Sequence, residues 1–276
     1  MKLFRSVLFW LLAILMAGGI AIYQRATGPT YPVRGTVVLG DEEVRYRLIR
    51  SWAGEGDARV LIPIENPDVV GEFRWKRFKS FDEWSAAPMQ RADDGLVFYI
   101  PHQPPAGKVQ YEISLFHDNR EQAITDSPVI IRFRGSVPSS ITLLHIVFIF
   151  LAFIFSMRAG MEALVKGRYT FAYTVFTIVF LFLGGLFFGP IMQKYAFGEY
   201  WTGWPVGHDL TDNKTAVAFI FWIIALVVQW RNRDKRVWAI IASVVLLVVY
   251  LIPHSVLGSE LDFRELEREP QTEITE

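Results

Sequence analysis

The chain has 276 residues, 52% of them hydrophobic and 15% aromatic, and its 28 basic and 28 acidic side chains cancel at neutral pH. A balanced charge argues against a nucleic-acid partner, which calls for a basic face. The absence of cysteine excludes disulfides, thiolate metal sites, cysteine nucleophiles and covalent c-type haem attachment.

The mean hydropathy is +0.27, and the apolar residues are clumped. A helix needs about 20 mostly apolar residues to cross a bilayer core. Five segments approach that length: 6–23, 141–157, 171–188, 216–230 and 237–252. An α-helical membrane protein with about five transmembrane helices is therefore expected. Its lysines and arginines set the orientation, because short cytoplasmic loops carry them in excess. Lys2 and Arg5 precede the first span, Arg158, Lys166 and Arg168 follow the second, and Arg231, Arg233, Lys235 and Arg236 follow the fourth. All three clusters share one side if the spans alternate. The N-terminus is then cytoplasmic, and residues 25–139, the loop 189–215 and the acidic tail 255–276 are extracytoplasmic. The expected divisions are 1–24, an anchor helix or alternatively a cleaved signal peptide; 25–139, a β-domain; 140–254, four helices; and 255–276, a tail. So bounded, the spans contain no Asp, Glu, Lys or Arg, which argues against an ion or proton path.

Residues 25–139 read as short strands. Val44, Tyr46 and Leu48 alternate with Arg45 and Arg47 after a turn at Gly40-Asp41-Glu42. Further strands are predicted at 59–64, 72–78, 96–100, 109–116 and 129–134, with turns at Asp93-Asp94-Gly95 and His117-Asp118-Asn119. Strands at this spacing suggest a β-sandwich. The stretch Pro105-Ala106-Gly107-Lys108-Val109-Gln110-Tyr111 resembles the approach to a late strand of immunoglobulin-like and fibronectin-type domains, where a tyrosine pins a corner. His102 and His117 are expected in surface turns, and Trp52, Trp75 and Trp84 in packing. The alternative for the tryptophans is a binding surface with the basic run Arg74, Lys76, Arg77 and Lys79. A domain of this kind is expected to bind an extracytoplasmic or membrane protein partner.

The loop 189–215 is the stretch richest in groups able to hold a ligand. It combines Trp201, Trp204, His208, Asp209, Asp212 and Asn213. One reading is structural: tryptophans anchor at the membrane interface, and Asp209, Asp212 and Asn213 cap the next helix. The other reading is a site. Phe197-Gly198-Glu199-Tyr200-Trp201, then Trp204 and Asp209, resembles the tryptophan-rich outward loop of cytochrome c assembly membrane proteins, with Phe197 at the first tryptophan position. That resemblance implies haem handling by Trp201, Trp204, His208 and Asp209, with His145 and His254, near the outer ends of their spans, as axial ligands. A divalent transition metal is the competing expectation, held by some of His145, His208, Asp209, Asp212, His254 and Glu260.

Two functions follow as expectations for a polytopic protein of the bacterial inner membrane. One is an accessory or assembly protein of respiratory or redox complexes with an outward haem or metal pocket. The other is a non-enzymatic, membrane-anchored subunit that binds a partner through its β-domain. No acid–base pair is legible by spacing, so a non-enzymatic role is favoured.

Overall fold

A computed structural model describes residues 2–40, 42–253 and 258–268. The chain forms two compact units, one from Met1–Pro29 and Val137–Ser259, the other from Thr30–Ser136 and Glu260–Glu276.

The first unit is helical: α1 (Lys2–Thr27), α2 (Ser139–Leu164), α3 (Thr170–Leu181), a π-helical stretch Phe182–Phe188, α4 (Gly189–Phe197), α5 (Leu210–Arg231) and α6 (Val237–Leu251). Among the described residues, four helical runs are long and apolar enough to cross a membrane: Leu3–Thr27, Ser139–Leu164, Thr170–Phe197 and Leu210–Arg231. The fifth expected span, α6, has only 15 residues. The bundle packs on small side chains, with Ala13, Ala17, Ala152, Ala159, Ala218, Ala225, Ala239 and Ala242 buried around Trp222 and Leu246. In a bilayer, small residues of this kind let helix backbones approach and gain dispersion contacts. Ser156 and Ser243 share a hydrogen bond at 3.2 Å between α2 and α6, and Gln229 of α5 donates to Thr174 of α3 at 3.1 Å.

Two sequence expectations are corrected here. The third span does not stop at 188. The π-helical stretch carries the helix into α4, where Pro190 sits in the first turn and its missing N–H breaks no α-helical bond. The connector therefore shrinks from 189–215 to residues 198–209, closed on one side by Gly198 at φ +90°. Charge is also present in the long helices. Arg158 and Glu162 are buried in α2 and pair at 2.7 Å across one turn. The Arg158 guanidinium lies over the rings of Phe9, Trp10 and Tyr173 at 5.4, 5.5 and 4.7 Å. Such a cage of aromatic faces, with the carboxylate, replaces the water that a bare cation would demand. Asp212 and Lys214 are likewise buried in the first turns of α5.

The second unit contains eleven strands among its described residues. β1 (Val33–Leu39) pairs with β2 (Glu42–Leu48); β4 (Ala58–Ile62), β8 (Gly95–Ile100) and β7 (Gln90–Ala92) form a second sheet. The largest sheet has the order β3 (Ser51–Trp52), β11 (Val129–Phe133), β9 (Lys108–His117), β5 (Val70–Arg77) and β6 (Ser85–Pro88), with β10 (Arg120–Ala123) pairing β9. β9 alternates strictly, burying Val109, Tyr111, Ile113 and Leu115, as its period-two pattern predicts. The three sheets share one core, in which Phe73 stacks on Phe98 at 4.1 Å and on Tyr111 at 5.1 Å. The Tyr111 hydroxyl donates to the Ile49 carbonyl at 2.8 Å, and burial pushes its pKa up. The turns at Asp93-Asp94-Gly95 and His117-Asp118-Asn119 lie where the sequence puts them. Asp41 of the first turn lies outside the described residues.

The described tail residues are part of this unit. Leu261 N–H donates to the Ala106 carbonyl at 3.2 Å and Arg264 N–H to the Lys79 carbonyl at 3.1 Å. The short helix α7 (Phe263–Arg268) buries Phe263.

Candidate functional site

The connector 198–209 and the start of α5 form a closed polar cluster around two carboxylates. Asp209 is the N-cap of α5 and accepts from the Thr211 N–H at 2.7 Å. Its other oxygen accepts from the Ser259 N–H at 2.8 Å, the Ser259 hydroxyl at 2.9 Å and the Thr202 hydroxyl at 3.3 Å. Burial pushes the Asp209 carboxyl up, but these donors outweigh it and hold the group below the usual carboxylate range.

One turn along, Asp212 Oδ2 accepts from the Thr202 N–H at 2.7 Å, the Gly203 N–H at 3.0 Å and Gln193 Nε2 at 3.2 Å. Gln193 also donates to the Thr202 hydroxyl at 2.7 Å, which joins α4 to the cluster. Asn213 accepts from the Trp204 N–H at 2.7 Å. Gly203 is required here, because a Cβ would come within 2.6 Å of the Asp212 Cβ. The loop is thus wound around Thr202, with Asp209 and Asp212 as its acceptors and α5 as its base.

Below it, Lys214 is 4% exposed. Its Nζ donates to the Ile252 carbonyl at 2.9 Å. Gln24 of α1 donates to the same carbonyl at 2.9 Å and to that of Tyr250. The C-terminal carbonyls of α6 are therefore satisfied inside the bundle by side chains of α1 and α5, which an exposed helix end would leave to water.

The expected ligand residues are only partly brought together. Asp209 and Asp212 share the Thr202 hydroxyl, and Trp201 Nε1 donates to the Trp204 carbonyl at 3.2 Å. The Trp204 ring and His208 point outward from this cluster and are exposed. His145 is elsewhere in the bundle, its Nδ1 at 2.9 Å from the Gly184 carbonyl in the π-helical stretch. Glu260 belongs to the β-domain unit, where it pairs with Lys79 and Lys108. His254 lies outside the described residues. Among the described residues no group of three or more His, Asp or Glu side chains is placed to hold a metal ion. Asp209 and Asp212, both expected to bind a ligand, accept hydrogen bonds from the chain's own donors.

Gln193, Thr202, Lys214 and Ser259 complete the cluster and escape a sequence reading. Their only signal is polarity at the edges of apolar runs.

No protein-family model matches the chain, and no curated protein and no solved structure shows significant similarity to it. Fold and site alone define the class: a protein with four helices of membrane-crossing length and composition, joined to a separate β-domain.

Proposed function

We propose that this chain is a non-enzymatic, multi-pass membrane protein that presents its β-domain outside the cytoplasm to bind a protein partner. The observation that carries this reading is an aromatic and cationic ledge on the largest sheet. Arg74 and Lys76 of β5 lie over the Trp84 ring at 5.5 and 5.6 Å, and Phe81, three residues before Trp84, is 57% exposed. Tryptophan and arginine at partly exposed positions are the residues most enriched where one protein grips another. The internally matched carboxylates of the connector support the same reading, since they leave ligand capture to other surfaces.

A parity condition supports this orientation. The β-domain unit takes in residues 30–136 and returns to itself at Glu260, which favours a topology with both stretches on one side of the bilayer. The chain between them crosses an even number of times. α2, the α3–α4 run and α5 give three crossings, and α6 supplies the fourth. The basic clusters after α2 and α5 then face the cytoplasm, as the distribution of Lys and Arg requires. At about 1.5 Å per residue α6 spans roughly 22 Å, and Lys214 and Gln24 satisfy its end within the bundle.

The test is site-specific photo-cross-linking from position 81 in intact cells. A discrete heavier adduct is expected, and Arg74→Glu with Lys76→Glu should abolish it. A chain that forms no adduct, or the same adduct in the double variant, overturns the proposal.

A further inference from the structure

The tail residues 260–268 occupy a groove on the β-domain in the manner of a bound peptide. Glu260 is held between the ammonium groups of Lys79 and Lys108. Phe263 is buried, its ring under the Arg77 guanidinium at 4.7 Å and its edge at Gly107, where a Cβ would meet it at 3.4 Å. Glu267 reaches the same Arg77 at 2.5 Å. Acid, aromatic and acid thus meet lysines, a guanidinium face and a guanidinium edge in register.

A second observation is independent of charge. The two carbonyls that receive the tail's N–H groups belong to Ala106 and Lys79. Both residues have left-handed backbone conformations, with φ of 69° and 53°. Non-glycine residues rarely adopt that region, and such strain concentrates at ligand clamps. Here it turns two carbonyls toward the groove, where an incoming backbone can meet them.

We propose that this groove is a recognition site for an acidic peptide segment with an aromatic anchor, and that residues 260–268 are its resident, displaceable occupant. The inference rests on the reading of the β-domain as a partner-binding module. The occupant is built to exchange. α7 has six residues, too few to be helical on its own, and the tail's ion pairs through Glu260 and Glu267 are partly open to solvent. It holds the groove largely because its tether keeps it at high effective concentration. A partner segment of the same chemistry takes over the same carbonyls and cations.

The experiment uses a fluorescent peptide with the sequence of residues 258–268 and anisotropy on the detergent-solubilised protein. A chain ending after Ser259 should bind the peptide at least tenfold more tightly than the full chain. Lys79→Glu or Lys108→Glu in the shortened chain should abolish binding, and a peptide carrying Phe263→Ser should bind at least tenfold more weakly. In the full-length chain, Phe263→Ser with Glu267→Arg should open the groove to the wild-type peptide without truncation. Equal binding to full and shortened chains overturns the proposal. So does a shortened chain that unfolds together with a full-length double variant that stays closed to the peptide, for the tail is then a fixed part of the domain. Peptide binding without the cross-linked adduct at position 81 removes the parent reading alone; the adduct without peptide binding removes this one.

Discussion

Asp212 carries more of the outer loop than its position in the chain suggests. Its Oδ2 receives the N–H groups of Thr202 and Gly203 in a buried setting. Removing the acceptor strands both donors, each at about 1–3 kcal/mol. Asp212→Ala is therefore expected to lower stability by about 2–6 kcal/mol, read as a fall in the thermal midpoint of the detergent-solubilised protein. Asp212→Asn, which keeps an acceptor oxygen, should lose less than half as much. Unchanged melting of the alanine variant would show that the loop does not depend on this bond set. At this scale part of the site is legible in sequence. Asp209 before an apolar run reads as a helix cap, and it is one. Its link to Ser259 spans 50 residues and that of Thr202 to Ser259 spans 57, and no local pattern announces partners so far apart. His145, expected near the outer end of its span, has its Nδ1 at the Gly184 carbonyl of the π-helical stretch, a partner that hydropathy does not reveal.

Among the elements, strands were readable because one buried face imposes a period of two, as in β9. The long apolar helices were readable because length and composition define them. The π-helical stretch was not. Within it Gly184 fits against α2, where a Cβ would lie 2.7 Å from the Ile149 nitrogen, and close packing of that kind leaves no periodic trace. α2 and α5 extend beyond their apolar runs, to take in Arg158, Glu162 and Lys214, which are charged yet enclosed. Window hydropathy treats charge as a boundary, whereas a matched pair or a caged guanidinium continues a helix. α6 is the element on which the topology turns. Because the chain lacks cysteine, single cysteines report sidedness cleanly. In intact cells an impermeant maleimide is expected to label Asp118→Cys, Glu199→Cys and Glu265→Cys, and to label Lys235→Cys only after permeabilisation. Labelling of positions 235 and 265 from the same side would mean that α6 turns back without crossing.

At the scale of the whole molecule, the groove joins the tail to pH. The charged groups facing the tail are Lys79, Lys108, Arg77 and Asp82; the tail presents Glu260, Asp262, Arg264, Glu265 and Glu267. Burial pushes the Glu260 carboxyl up, but Lys108 and Lys79 outweigh it and hold the group below the usual glutamate range. Burial costs Lys108 more than Glu260 returns, so its ammonium is held below the usual lysine value. Arg77 depresses Asp82, and Arg264 brings Asp262 down to about 2. A carboxylate whose folded pKa is depressed stabilises the bound tail above its unfolded pKa, and that contribution disappears as pH falls through the folded value. Glu260's contribution to docking is thus complete near neutrality and fades as pH falls below the ordinary glutamate value of about 4.5 and through the lower folded value. A spin label at Leu266→Cys should be immobile at pH 7 and become mobile over that window. Glu260→Gln should weaken docking at pH 7 by about 1 kcal/mol, about fivefold in the docked-to-free ratio, and flatten the acid response. A label equally immobile at pH 7 and pH 3 would mean that Phe263 and the two main-chain bonds hold the tail without help from charge. An acidic competitor would then gain nothing from Lys79 and Lys108.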